Sequence, residues 1–272
     1  MNKLIIAAVL LVSFATTAGE THNYYPEKLS ALMTNANGEA LKSYLFEVLS
    51  SAHQRSKNGK DTLGCSAGGN AKCYNQLSLG YKGARKVLFG KLHLEKDGEG
   101  YFIKDVYCRK DFRRRHTRMG PGQIPNSNVV NCEHTWPQSK FSSRFSKGLQ
   151  KSDLHHLFPT DSHANSMRGN HPFGNLDSAN TVGQDCSASY STRSKFEPPT
   201  EHKGNVARAL FYFSTRYQIK IDRYQEQTLR EWHIQDPVDA EEMERNQKIY
   251  EIQKNRNPYI DMPELVDMIS NF

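Results

Sequence analysis

Between Glu39 and Leu49 the apolar residues Leu41, Leu45, Val48 and Leu49 return at helical spacing, and Val206, Leu210, Phe213 and Tyr217 do the same between Asn205 and Tyr217. Both segments are predicted to be core helices. The middle of the chain has a different texture: short β-prone runs, 128–131 and 154–158, stand among polar loops and the turn-rich patch MGPGQIPNSN at 119–128. Pro137 and Pro159 are expected to end the strands before them, because neither can donate to a ladder. Thr160, Asp161 or Ser162 is then expected to cap a helix carrying Asn165 and Arg168. The order strand, long loop, strand, helix, set among longer helices, predicts an α+β fold that is mostly helical with a small β-sheet. No repeat and no linker with a composition shift divides it.

The N-terminal pattern is of another kind. Lys3 precedes an apolar run from Leu4 to Ala15, and Thr16, Thr17 and Ala18 follow it. A run of about 12 residues is short of the roughly 20 that span a bilayer, so it predicts a signal peptide cut after Ala18 rather than an anchor. The expected organisation is a signal peptide at 1–18 and one domain at 19–272, periplasmic or secreted, with no membrane contact in the mature form and a monomeric state. Export places the five cysteines in an oxidising compartment. Cys65 and Cys73 flank the Gly-rich turn SAGGNAK and are expected to pair. Five cannot all pair within one chain, and which of Cys108, Cys132 and Cys186 stays free is open.

At 272 residues with a mean hydropathy of −0.73, the chain is neither a mini-scaffold nor a collagenous or broadly disordered protein. Its 36 Lys and Arg against 29 Asp and Glu give a formal charge of +7, which favours a polyanionic partner such as nucleic acid. The run RRRHTR at 113–118 is read either as a phosphate-tracking patch or as a solvated face.

Chemistry concentrates in NVVNCEHTWPQSKF at 128–141 and SDLHHLFPTDSHANSMRGNHPFGN at 152–175. Glu133 and His134 fall at a strand end. Neighbours on an extended chain face opposite ways, so both can serve one site only if the strand stops or twists there. If the two strands pair and the helix crosses them, Asn165 comes back over Glu133 and a single metal site results. A carboxylate and an amide oxygen suit Mg²⁺, with Mn²⁺ or Ca²⁺ as substitutes, better than zinc. His134 is expected to stay off the metal and act as general base. His155, His156, His163 and His171 are read as supporting or structural rather than as a zinc cluster, with His155 the favoured support. Trp136, beside Pro137, is expected to pack in the core rather than stack on a base.

CEHTWPQSKF together with DLHHLFPTDSHANSMRGN resembles the bacterial endonuclease I family, periplasmic or extracellular nucleases of the ββα-metal superfamily, and RNQKIYEIQKNRNPYIDMPE at 245–264 is similar to that family's C-terminal segment. The resemblance implies a ββα-metal active site and metal-dependent, sequence-nonspecific cleavage of DNA, and often RNA, to 5′-phosphate ends. By motif position it implies Glu133 and Asn165 as metal ligands and His134 as general base. It also implies a phosphate-supporting arginine in the loop QSKFSSRFSKGLQKS, which assigns Arg144. Two alternatives stand beside it: an exported nuclease restricted to RNA, and a noncatalytic nucleic-acid-binding protein.

Overall fold

Helices begin where a polar side chain can close their first turn. In the computed structural model, which describes residues 22–34, 37–65, 73–177 and 179–272, α1 (Glu27–Thr34) is followed by α2 (Gly38–Ser50). Asn37 caps α2, accepting from Ala40 N at 3.1 Å, and the face carrying Leu41, Tyr44, Leu45, Val48 and Leu49 is buried. β1 (His53–Gln54), β2 (Thr62–Leu63) and β3 (Cys73–Tyr74) form a small antiparallel sheet. α3 (Gly80–Val87) continues through a π-helical turn, Leu88–Leu92, into an antiparallel meander of β4 (Glu95–Asp97), β5 (Gly100–Lys104) and β6 (Asp111–Arg113).

β7 (Val130–His134) and β8 (Leu157–Asp161) pair antiparallel, with Glu133 opposite Phe158 and His134 opposite Leu157. Their connection holds α4 (Lys147–Lys151), and α5 (Ser162–Arg168) follows β8 directly. Asp161 caps α5, accepting from His163 N at 2.8 Å and Ala164 N at 3.0 Å. A fourth small sheet comprises β9 (Asn180–Gly183), β10 (Cys186–Ser191) and β11 (Phe196–Glu197). It is followed by α6 (Thr200–Tyr217), α7 (Arg223–Gln235), α8 (Ala240–Gln253), α9 (Pro258–Asp261) and α10 (Leu265–Met268). The fold is α+β, with helices dominant and every sheet small.

α6 is longer than its apolar pattern suggested and is buried on nearly all sides, so it is the spine of the larger core rather than an amphipathic surface helix. Its contact with α7 requires Gly204, where a Cβ would lie 1.9 Å from the Asp236 carbonyl oxygen. A second apolar cluster includes Leu88, Phe89, Ile103, Val130, Cys132, Leu154 and Leu157, so β7 and β8 are anchored on it.

The two site strands are displaced from their expected places. β7 starts two residues later than expected and runs through Glu133 and His134, while Leu154–His156 is a 3₁₀ turn before β8. Pro159 does not end β8. It sits opposite Cys132, and its carbonyl accepts from Val106 N at 3.0 Å, on the side away from β7. Its nitrogen faces that same side, so no ladder donor is lost.

Cys65 pairs with Cys73 as expected, and Cys108 with Cys186, leaving Cys132 free and buried. The expected leader with its cut after Ala18, and the turn SAGGNAK, lie outside the described residues. Among the described residues no helix is long and apolar enough to cross a membrane.

Candidate active site

β7 stops at His134 and the chain bends at Thr135 and Trp136, which meets the geometric demand set by two adjacent functional side chains. Glu133, His134 and Asn165 line one open pocket of about 290 Å³, together with Tyr81, Cys132, Gln138, Ser139 and Asn170. Asn165 reaches it because the Asp161 cap starts α5 where β8 ends and the helix lies against β7.

The two oxygens of Glu133 are used differently. Oε1 accepts from Tyr107 Oη at 2.9 Å and lies 3.3 Å from Arg168 Nε, in surroundings where both the glutamate and the arginine are only 2% exposed. Neither the Tyr107 hydroxyl nor the Arg168 guanidinium contact uses Oε2, and among the described residues no hydrogen bond reaches the side-chain amide of Asn165. Burial raises the carboxyl of Glu133 above the usual range, against the opposing pull of Arg168 and Tyr107. One anchored carboxylate oxygen, one uncommitted carboxylate oxygen and one uncommitted amide form a hard-oxygen donor set. That set suits a divalent ion of the Mg²⁺ type.

His134 is held at its far nitrogen. Nε2 is 3.2 Å from the Lys151 carbonyl oxygen, which can only accept, so the proton resides on Nε2 and the lone pair on Nδ1. Nδ1 is 3.4 Å from the Gln138 amide nitrogen. Burial and the neighbouring His156 push the imidazole down to about 3, so it is neutral near pH 7. Cys132 faces the same pocket, but burial pushes its thiol up to about 12 and keeps it protonated.

Arg168 is the arginine of this site, and it supports from behind. Its Nη1 donates to the His134 carbonyl at 3.2 Å and its Nη2 to the Thr135 carbonyl at 2.6 Å, tying α5 to the end of β7. Tyr107 is held in turn by the neighbouring Cys108–Cys186 disulfide and by Ser189 Oγ, which donates to the Tyr107 carbonyl at 2.7 Å.

Arg144, expected to support a phosphate, is not brought to the pocket. It is exposed, and its guanidinium donates to the Gln218 side chain. The chain turns away after Lys140, whose carbonyl accepts from Trp136 Nε1 at 2.9 Å. Trp136 itself is buried and stacks on Phe213, with ring centroids 5.2 Å apart. His155 is not the histidine behind His134: its Nε2 is 3.2 Å from the Asn255 carbonyl and its ring faces Tyr212. His156 takes that place, its ring centroid 5.4 Å from that of His134 and its Nε2 2.8 Å from the Gln150 carbonyl. The 3₁₀ turn separates these consecutive histidines onto different sides. Tyr107 has no sequence signal, whereas Arg168 stands one helical turn beyond Asn165 and was legible as a neighbour though not as an anchor.

Several known proteins resemble the chain in sequence. The chain is 39% identical over 158 residues to an "Extracellular ribonuclease" of Bacillus subtilis (strain 168), covering 51% of this chain and 53% of the relative. It is 30% identical over 182 residues to an "Extracellular deoxyribonuclease" of Aeromonas hydrophila, covering 57% and 79% respectively. A "Periplasmic deoxyribonuclease" of Aeromonas hydrophila is 30% identical over 122 residues, 44% of this chain and 51% of the relative. The chain thus spans about half the length of the ribonuclease and of the periplasmic relative. The Endonuclease I family profile matches residues 38–264, and the chain belongs to that family.

Proposed function

We propose that the protein is a periplasmic or secreted, single-domain, metal-dependent endonuclease that hydrolyses phosphodiester bonds in DNA, and in RNA as well, with little sequence preference. The observation that carries this reading is the convergence of Glu133, His134 and Asn165 on one pocket, with His134 Nδ1 carrying the lone pair. The relatives include both a ribonuclease and a deoxyribonuclease, which supports a broad substrate range.

In this reading Glu133 and Asn165 would hold one Mg²⁺, Mn²⁺ or Ca²⁺. When bound, such an ion supplies charge neutralisation at the phosphate and at the departing oxygen. His134 Nδ1 takes the proton of the attacking water, while the Lys151 carbonyl steadies the imidazolium through Nε2–H. Attack opposite the 3′ oxygen breaks the P–O3′ bond and leaves a 5′-phosphate, while the departing 3′ oxygen takes a proton from solvent to become the free hydroxyl. Arg168 opposes the rise that burial imposes on the Glu133 carboxyl and ties α5 to the end of β7.

The test is digestion of supercoiled plasmid and, in parallel, of structured RNA, with Mg²⁺ and with EDTA. Cleavage of both is expected with metal and none with EDTA. His134→Ala should lower the rate by about 10²–10⁴-fold, the usual contribution of a positioned base, and retain the fold. Cleavage of RNA alone would restrict the substrate. Undiminished cleavage by the variant would overturn the role of His134, and no cleavage of either polymer would favour a noncatalytic binder.

A further inference from the structure

We infer that the substrate's phosphate backbone runs along a wall formed by α3 and α4, a surface bearing Lys82, Arg85, Lys86, Lys147 and Lys151, and not over the arginine run at 113–118; this rests on the nuclease reading above. The charge asymmetry begins in the chain. No Asp or Glu occurs from 62 to 94, or from 134 to 152. The fold packs α3 against α4, so these two acid-free stretches meet beside the pocket.

Tyr81 of α3 is the hinge between wall and pocket. Its ring lines the pocket, Lys151 Nζ lies 4.3 Å from the ring centroid, and the Arg85 guanidinium carbon lies 5.6 Å from it. Among the described residues none of the five cations makes an ion pair or a side-chain hydrogen bond. Arg85 Nε is buried with no acceptor at all. A guanidinium nitrogen removed from water without an acceptor is costly, and a phosphate oxygen would satisfy it. Lys82, Lys86 and Lys147 are exposed, a layout suited to contacts that carry no sequence information.

The arginine run is differently placed. Arg113 lies 2.8 Å from Asp97, 3.5 Å from Glu99 and 3.7 Å from Asp111, and Arg115 is 3.7 Å from the same Glu99. Carboxylates of β4, β6 and the β4–β5 turn therefore offset the charges of Arg113 and Arg115. Half of the arginines in the run most conspicuous in the sequence, Arg113 and Arg115, thus have carboxylate partners of their own.

The test is binding of a fluorescein-labelled duplex of scrambled sequence, in EDTA, over a series of salt concentrations. The proteins compared are the full chain, a variant combining Lys82→Gln, Lys86→Gln and Lys147→Gln, and a variant combining Arg114→Gln and Arg115→Gln. Each lost phosphate contact makes the slope of log affinity against log salt shallower by about 0.9, so the lysine variant should lose about 3 and bind more weakly at every salt. The arginine variant should match the full chain. A lysine variant that binds with unchanged slope, or an arginine variant that alone loses slope, overturns the inference while leaving the nuclease reading in place. No binding by the full chain would overturn both. Circular dichroism establishes that each variant is folded.

Discussion

Glu133 shows how one residue can be both structural and chemical. Oε1 is committed to Tyr107 and Arg168, which leaves Oε2 for the pocket. Removing Arg168 would leave a buried carboxylate without its counter-charge, an alteration that typically costs about 3–5 kcal/mol. It would also free the carbonyls of His134 and Thr135. Arg168→Ala is therefore expected to lower the urea midpoint strongly, whereas Arg144→Ala, at an exposed position, should stay within about 0.5 kcal/mol and retain hydrolysis. Equal effects of the two substitutions on stability would contradict this division. The meeting of Glu133, His134 and Asn165 at one pocket was legible because adjacency at a strand end and a capped helix are local patterns. That Arg168 rather than Arg144 lies behind Glu133, and His156 rather than His155 behind His134, was not legible, because the direction of a side chain depends on what packs behind it.

At the scale of elements, the site depends on a strand pair of five residues each, too small to persist alone. α5 is what makes it useful. Asp161 ends β8, caps α5 through His163 N and Ala164 N, and accepts from Lys110 Nζ at 3.1 Å, so one side chain sets the angle at which Asn165 enters the pocket. Asp161→Ala should cost about 0.5–2 kcal/mol, as loss of an N-cap does, and Asp161→Asn should recover most of it. Urea denaturation of the two variants checks this; an alanine variant as stable as the parent would mean that tertiary packing alone holds the helix. The cap was among the residues singled out from the sequence. The strand limits were less legible, because whether Pro159 breaks a ladder depends on which way its nitrogen faces, and β-propensity does not encode that.

For the whole molecule, buried histidines link folding to pH. His155 and His156 are pushed down to about 4 and His202 to about 3, in each case chiefly by burial. In the unfolded chain each returns to about 6.5. Below that value the unfolded state therefore binds protons that the native state refuses, and stability falls as pH falls, towards the native-state values near 4 and 3. Asp153 adds in the same direction. Burial would raise its carboxyl, but the hydrogen bonds from Gln253 and Tyr217 help to hold it below the usual range. Each histidine should remove on the order of 2 kcal/mol by pH 5, a large share of the roughly 5–15 kcal/mol that domains possess. Urea midpoints should accordingly be nearly flat from pH 8 to about 7 and drop steeply below about 6.5, losing most of the native state before pH 4. A midpoint that held steady down to pH 5 would require these rings to be charged in the folded protein, and so would contradict the neutral, buried arrangement in which His156 backs His134.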